Sequence, residues 1–472
     1  MIALDDAARS LDCQDGLLTI PGAPLTRTSP GAPHSAQRRA YMSKAFRWIL
    51  LSAAVLALAL ALQPASAADV KMTLWRLKTY IPPADKILDT SIQECGKKIG
   101  AEVTIQTYTF DDMWTKYTAA IESKTLPDVA ELDAVGPARL ANLGRLSDVS
   151  DLVGTVTKEL GELAQNAEGA VKFSGKFYAV PHYAIPLILF YRKDLLEKVS
   201  AQPPDTWEAI NEISVKIKKA GLQDFPQGFP WNRTGDGYDP AMSLLWSYGA
   251  AWVDKSGRFT GLPKDKAVQA IKVVTPAYTT DKTAAFDYLS WSGSGNNEAF
   301  MAGKIAFTPN GPSILFQEDS TKHPLRKDTA IKIMPKGPAG RNLALTFVMN
   351  WGIPVDGKQQ KEARALVACL MSKEKFTTYM TGSFQQAVPL FKSLINHEYW
   401  NTPDGKVIAE TVKLGRPVGW PGPTTPAAAE VVSSNVLTDM MTRVIVDKVT
   451  PEKAVEEADK RIKEIYDRLP VK

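Results

Sequence analysis

The chain has 472 residues, 44% apolar and 23% charged, which describes a globular protein with room for two or three domains rather than a disordered or membrane-embedded one. Its 56 Lys and Arg are interleaved with 51 Asp and Glu and form no cluster, which argues against a nucleic-acid partner.

Residues 1–41 are rich in Pro, Gly, Ser and Arg, show no periodicity, and are expected to be a non-native or disordered extension. Residues 42–67 read as a signal peptide: a basic start at Lys44 and Arg47, an apolar run from Trp48 to Leu62, and an A-x-A site at Ala65-Ser66-Ala67. The apolar run is short for a membrane span of about 20 residues. The expectation is a start at Met42 and a mature periplasmic chain from about Ala68, with a net charge near +3. Cys95 and Cys369 remain in that chain, and neither follows the signal as a lipid-anchor cysteine would. Both fall in helical patterns and are read as two buried free thiols, with a single bridge as the alternative in an oxidising compartment.

Residues 71–75 (KMTLW) read as a first strand. Pro82-Pro83 open a helix in which Leu88, Ile92, Cys95 and Ile99 recur at helical spacing, and Gly100 ends it. Residues 102–108 alternate as a second strand. Asp111 or Asp112 is placed to cap a helix carrying Met113, Trp114, Tyr117 and Ile121. Residues 127–133 (PDVAELD) form a third strand. This order predicts a parallel sheet wrapped by helices, with ligands beyond the carboxyl ends of its strands. Trp75, Tyr80, Asp133 and Tyr183 would then lie near one mouth.

Residues 175–196 (GKFYAVPHYAIPLILFYRKDLL) are extended but broken by Pro181 and Pro186. Proline lacks the ladder donor, so this run makes a poor central strand and suits a crossing between two bodies. Thr206 and Trp207 open a helix with Ile210, Ile213 and Ile217. A loop over 225–240 holds Trp231, and the apolar segment 242–253 ends at a turn over 254–257. Residues 345–354 read as a second crossing. Residues 416–426 (RPVGWPGPTTP) are too rich in proline for helix or sheet and read as a third crossing and hinge. Thr450 caps a last helix with Pro451 at its first position and a stripe of Ala454, Ala458, Ile462, Ile465 and Leu469.

Several of these stretches resemble family 1 extracellular solute-binding proteins of the maltodextrin-binding type. The crossing matches K-x-Y-x-x-P at Lys176, Tyr178 and Pro181, then Y-x-K-D-L at Tyr191, Lys193, Asp194 and Leu195. Leu126-Pro-Asp-Val129, Pro204-Asp-Thr-Trp-Glu208, Phe300 with Gly303-Lys304, Asn310-Gly-Pro312 and Thr450-Pro-Glu452 follow in the family's order. Ser313 stands where the family carries Trp, which removes one stacking platform of the maltodextrin type. The resemblance implies an α/β, two-lobe periplasmic-binding-protein-like fold of type II with hinge crossings. It divides the chain into an N-terminal lobe of 69–182 plus 351–416 and a C-terminal lobe of 187–346 plus 420–472. It implies a monomer that captures a sugar by hinge closure and delivers it to the permease of an ABC importer.

A sugar site needs flat aromatic faces and fixed polar partners. The aromatic candidates are Trp75, Tyr80, Tyr183, Trp231, Trp252, Trp291, Trp351 and Trp420; Trp114 and Trp207 are assigned to the core. The polar candidates are Asp133, Asn310 and Arg416. Asp133 could equally cap the following helix, and Arg416 could equally form an interlobe ion pair. His182 has no second ligand in metal spacing, so neither metal nor cofactor is expected. The hydrolase and nucleotide-binding motifs G-x-S-x-G, H-E-x-x-H, the P-loop and G-x-G-x-x-G are absent, so an enzyme is not expected. Two alternatives stay open: a binding protein for a polyamine or other charged solute, and a secreted carbohydrate-active enzyme.

Overall fold

The computed structural model describes residues 70–471. The extension 1–41 and the signal segment 42–67 lie outside the described residues.

The strands, in chain order, are β1 Val70–Leu77, β2 Ala101–Tyr108, β3 Val129–Leu132, β4 Lys172–Phe173, β5 Lys176–Phe177, β6 Val180–Pro186, β7 Ile188–Arg192, β8 Phe307–Asn310, β9 Thr329–Ile333, β10 Ala344–Gly352 and β11 Gly415–Arg416. A six-stranded sheet runs β11-β10-β3-β1-β2, with β6 also paired to β10. In it β1 pairs in parallel with β2 and β3, as the β-α-β-α-β order predicts, while β10 runs antiparallel to β3 and β6. A separate antiparallel sheet runs β8-β7-β9. β4 and β5 form a small hairpin.

The first crossing is abrupt. β6 belongs to the large sheet, β7 to the small one, and Leu187 alone separates them. Pro181 and Pro186 are tolerated because β6 has only one named neighbour strand, with a register shift at Met349/Asn350. Residues 345–354, read as the second crossing, lie mostly in β10 of the large sheet because their backbone pairs with β6 and β3; the chain returns just before them, between β9 and β10, and leaves the large sheet a last time after β11. Residues 417–425 form the predicted proline-rich passage, which includes a cis Trp420–Pro421 bond. The two bodies around these sheets give the two-lobe fold.

Side-chain caps set several helix starts. Thr206 accepts from the Ala209 amide at 3.1 Å and Thr450 from the Lys453 amide at 3.3 Å. On the helix Pro451–Arg468 the buried stripe is Ala454, Val455, Ala458, Ile462, Ile465 and Tyr466, close to the predicted one. Two boundaries differ. Thr109, not an aspartate, caps the helix Phe110–Ser123, because its hydroxyl sits one residue before the first turn and meets the Asp112 amide at 3.2 Å. The helix Gly235–Ser247 begins inside the expected loop and carries Pro240 within it.

The free-thiol expectation is overturned. Cys95, on the helix Pro82–Lys98, is disulfide-bonded to Cys369, on the helix Gln360–Leu370, across 274 residues of sequence. Each thiol lies on the inner side of its helix, and the fold lays the two helices side by side. No described helix is long and apolar enough to cross a membrane.

Candidate solute cleft

Asp133 follows directly on β3, at the carboxyl edge of the large sheet. Its Oδ1 accepts from the Val135 amide at 3.2 Å and the Gly136 amide at 2.8 Å, the first residues of the helix Gly136–Asn142. Its Oδ2 accepts from Trp114 Nε1 at 3.0 Å. The Arg139 guanidinium lies 3.7 Å from the centroid of the Trp114 ring, a cation–π contact. Asp133 therefore caps a helix and anchors an aromatic at once. Burial raises its carboxyl above the usual range, against the opposing pull of Trp114, the two amides and Arg139. Burial lowers the Arg139 guanidinium, against the pull of Asp133 and Glu430.

The helix Gly235–Ser247 packs on β10 of the large sheet and on β8 of the small one, and it carries Tyr238 and Asp239. Burial raises the Asp239 carboxyl well above the ordinary range, and the charges of Asp236 and Asp133 raise it further. Tyr238 is raised by burial, then by Asp239, Asp133 and Asp236. Asp239 Oδ1 is buried with no hydrogen-bond partner. Asp133 is near enough for its charge to act on Tyr238 and Asp239. Trp114 and Asp133 offer a Trp face and a fixed carboxylate; Tyr238 and Asp239 offer a phenol and a carboxylate oxygen without a donor. Together they can hold hydroxyl or amine donors against an aromatic face.

Asp133 is the one predicted residue that the structure places in this cluster. Trp114, assigned to the core, packs against it while partly buried, and its indole N–H is turned to Asp133. Arg139, Tyr238, Asp239 and Glu430 were missed.

The other candidates are dispersed. Trp75 is 9% exposed and packs edge-on against Tyr108 at 5.0 Å. Tyr80, at 39%, is the more open residue at that mouth. Trp231, Trp252 and Trp351 present no open ring face. Trp231 stacks on Phe229 at 5.6 Å, Trp252 donates to the Tyr466 hydroxyl at 3.3 Å, and Trp351 lies 4.9 Å from the His182 ring. Tyr183 is buried against His182 and Tyr379. Trp291 is partly buried and stacks on Tyr288 at 4.1 Å. Asn310 is buried; its amide bonds Asn297, and its oxygen accepts from the Gly311 amide at 2.7 Å. Ser313, at the missing Trp, accepts from Asn297 Nδ2 at 3.0 Å. Arg416 donates to the Gly415 carbonyl at 2.8 Å and forms no ion pair among the described residues. Arg416 and Trp420 line an open groove of about 1130 Å³ that shares no residue with the Asp133 cluster.

Beneath the mouth, His182 Nδ1 and Glu131 Oε1 lie 3.6 Å apart, both side chains fully buried. The other Glu131 oxygen accepts from the Leu77 amide at 2.9 Å. Among the described residues no group of three or more His, Cys, Asp or Glu is arranged to hold a metal ion.

Comparison with known proteins agrees with this architecture. A family model described as bacterial extracellular solute-binding protein matches residues 90–406. A probable ABC transporter-binding protein of Deinococcus radiodurans is 26% identical over 289 residues, covering 57% of this chain and 67% of that protein. A maltodextrin-binding protein of Bacillus subtilis is 23% identical over 249 residues, covering 48% of this chain and 56% of its own. Maltose-bound MalE3 of T. maritima superposes with a TM-score of 0.71 at 22% identity, covering 84% of this chain and 100% of that one. A solute-binding protein of Thermotoga lettingae bound with α-D-tagatose gives 0.73 at 18% identity, again covering 84% and 100%. With two thirds of its length inside the family model and the two-lobe fold in place, this chain belongs to the bacterial extracellular solute-binding protein family.

Proposed function

We propose that this protein captures a polyhydroxylated solute of the sugar or polyol class between its lobes and delivers it to the permease of an ABC importer. The observation that carries this reading is the Trp114 ring held by Asp133 at the carboxyl edge of the large sheet and covered by Arg139, with the Asp239 Oδ1 oxygen buried without a donor. A solute touching both lobes favours the closed arrangement by its differential affinity. Relatives that bind maltodextrin or diacetylchitobiose support the sugar class. Solved neighbours holding maltose, tagatose and ribitol support it too. The protein acts as a monomeric periplasmic carrier without catalysis, exported by the segment 42–67. In this reading the first lobe comprises 69–182 plus 351–416 and the second 187–346 plus 420–472. Trp75, Tyr80 and Trp291 complete the aromatic lining around Trp114, Asp133, Arg139, Tyr238 and Asp239.

Carboxylates outnumber cations around the cleft: Asp133, Asp236, Asp239 and Glu430 against Arg139. This favours an amine-bearing solute as the second reading. A thermal-shift screen of the mature chain against sugars, polyols, amino sugars and polyamines tests both, since a ligand of the folded form raises the melting point. Shifts with sugars or polyols support the first reading, and shifts confined to amines support the second. Small-angle scattering then tests closure: an unchanged radius of gyration at saturating solute removes the hinge mechanism.

A further inference from the structure

The groove beside the last crossing is built from cations. Lys172, Lys255, Lys392, Lys413 and Arg416 line it together with Trp420, and Glu168 is the one acidic lining residue. Lys172 is paired with Glu168 at 2.6 Å and Lys392 with Glu162 at 2.6 Å. Lys255, Lys413 and Arg416 have no carboxylate partner among the described residues. Arg416 is partly buried, and the charge acting on it is that of another cation, Arg341, which has no carboxylate partner among the described residues. A guanidinium carries five N–H donors. The one that finds a protein acceptor here goes to the Gly415 carbonyl.

Partly buried guanidinium groups normally meet a carboxylate or another oxyanion, because desolvating an unpaired charge is costly. Here the protein supplies none and sets a second arginine close by. The groove, about 1130 Å³, is wide enough for a ligand larger than a single phosphate. We infer that this groove is a second binding site, separate from the solute cleft, for a small multivalent oxyanion carrying two or more phosphate or carboxylate groups. Arg416 meets one anionic group through its fork of donors, and Lys413 and Lys255 meet the others as point charges. The walls include β11 and the residues just after it, so the anion sits against the hinge passage.

Isothermal titration of the mature chain with pyrophosphate and with citrate, at ionic strength matched with sodium chloride, tests the site. The expected result is saturable binding of at least one of the two. Their relative affinity tells whether phosphate or carboxylate is preferred. The Arg416→Ala/Lys413→Ala double variant should weaken binding by about tenfold or more. The exposed pair Lys97→Ala/Lys98→Ala on a remote helix should leave it unchanged. If the double variant fails to fold by circular dichroism, Lys255→Glu, an exposed change on a different segment, replaces it and should also weaken binding. Absence of binding beyond the chloride control, or equal binding by the groove variants, overturns the site. Neither outcome bears on solute capture in the cleft.

Discussion

Trp114 and Asp133 are joined by a 3.0 Å hydrogen bond from the indole N–H to the Oδ2 carboxylate oxygen. The bond ties the helix Phe110–Ser123 to the end of β3 and fixes the angle of the indole face. Asp133→Ala removes both this acceptor and the cap on the Val135 and Gly136 amides. The expected cost is about 1–2 kcal/mol of stability, with solute affinity lowered about tenfold or more. Asp133→Asn keeps an acceptor for the cap and should hold the melting point closer to wild type. Titration calorimetry with the solute from the screen, beside thermal melts, separates the two effects. Unchanged affinity in both variants would remove Asp133 from the site.

Asp239 holds a buried carboxylate oxygen without a donor, near two other acidic groups. That arrangement lowers stability in the absence of solute. Asp239→Asn should raise the unfolding free energy by about 1–2 kcal/mol at neutral pH. It should also weaken solute binding by about tenfold. Chemical denaturation and calorimetry would be run on the same samples. A variant that is less stable and binds normally contradicts this account.

Burial depresses the His182 pKa below its ordinary value of 6.5, opposed by the Glu131 carboxylate 3.6 Å away. The folded form therefore holds this imidazole neutral at a pH where the unfolded chain protonates it. The sign follows: the unfolded state binds the extra proton, so the contribution is present above about pH 6.5 and is lost as pH falls toward the folded value. Relative to His182→Gln, the wild type should lose melting temperature between pH 7 and pH 5. Parallel melting curves for the two proteins over that range would rule the linkage out.

The bond between Cys95 and Cys369 closes a loop of 274 residues. Loop-closure entropy gives a stabilisation of about 5–6 kcal/mol for a bridge of this span. Melting with and without reductant, and in Cys95→Ala/Cys369→Ala, should show a drop of several degrees that reductant does not deepen in the variant. Free-thiol titration of the unfolded, unreduced chain should find neither thiol.

Gly237 precedes Tyr238 and Asp239, and a Cβ there would lie 2.0 Å from the Asn232 carbonyl oxygen and 2.5 Å from its amide nitrogen. Backbone cannot yield as a side chain can. Gly237→Ala should therefore displace the start of the helix, costing about 2–3 kcal/mol and weakening solute capture together. Wild-type affinity in this variant would show that Tyr238 and Asp239 do not contact the solute.

Local pattern alone determined a good deal of this protein. The parallel order of the first strands, the proline-broken passage from β6 to β7, the Thr206 and Thr450 caps and the last helix's buried stripe follow from periodicity and capping chemistry that act within a few residues. The family was legible for the same reason, since its motifs are local and occur in order. The tertiary structure decided what depends on distant partners. Cys95 and Cys369 lie on buried helix faces by sequence, yet only the packing of two helices 274 residues apart joins them. Trp231, Trp252 and Trp351 read as loop or crossing aromatics, and only the assembled core shows what covers their faces. Asp133 was open between a cap and a solute contact, and the fold has it capping while it also holds Trp114. Tyr238 and Asp239 feel the charge of Asp133, more than 100 positions earlier in the chain, because charge acts through space and the fold brings these distant segments near each other.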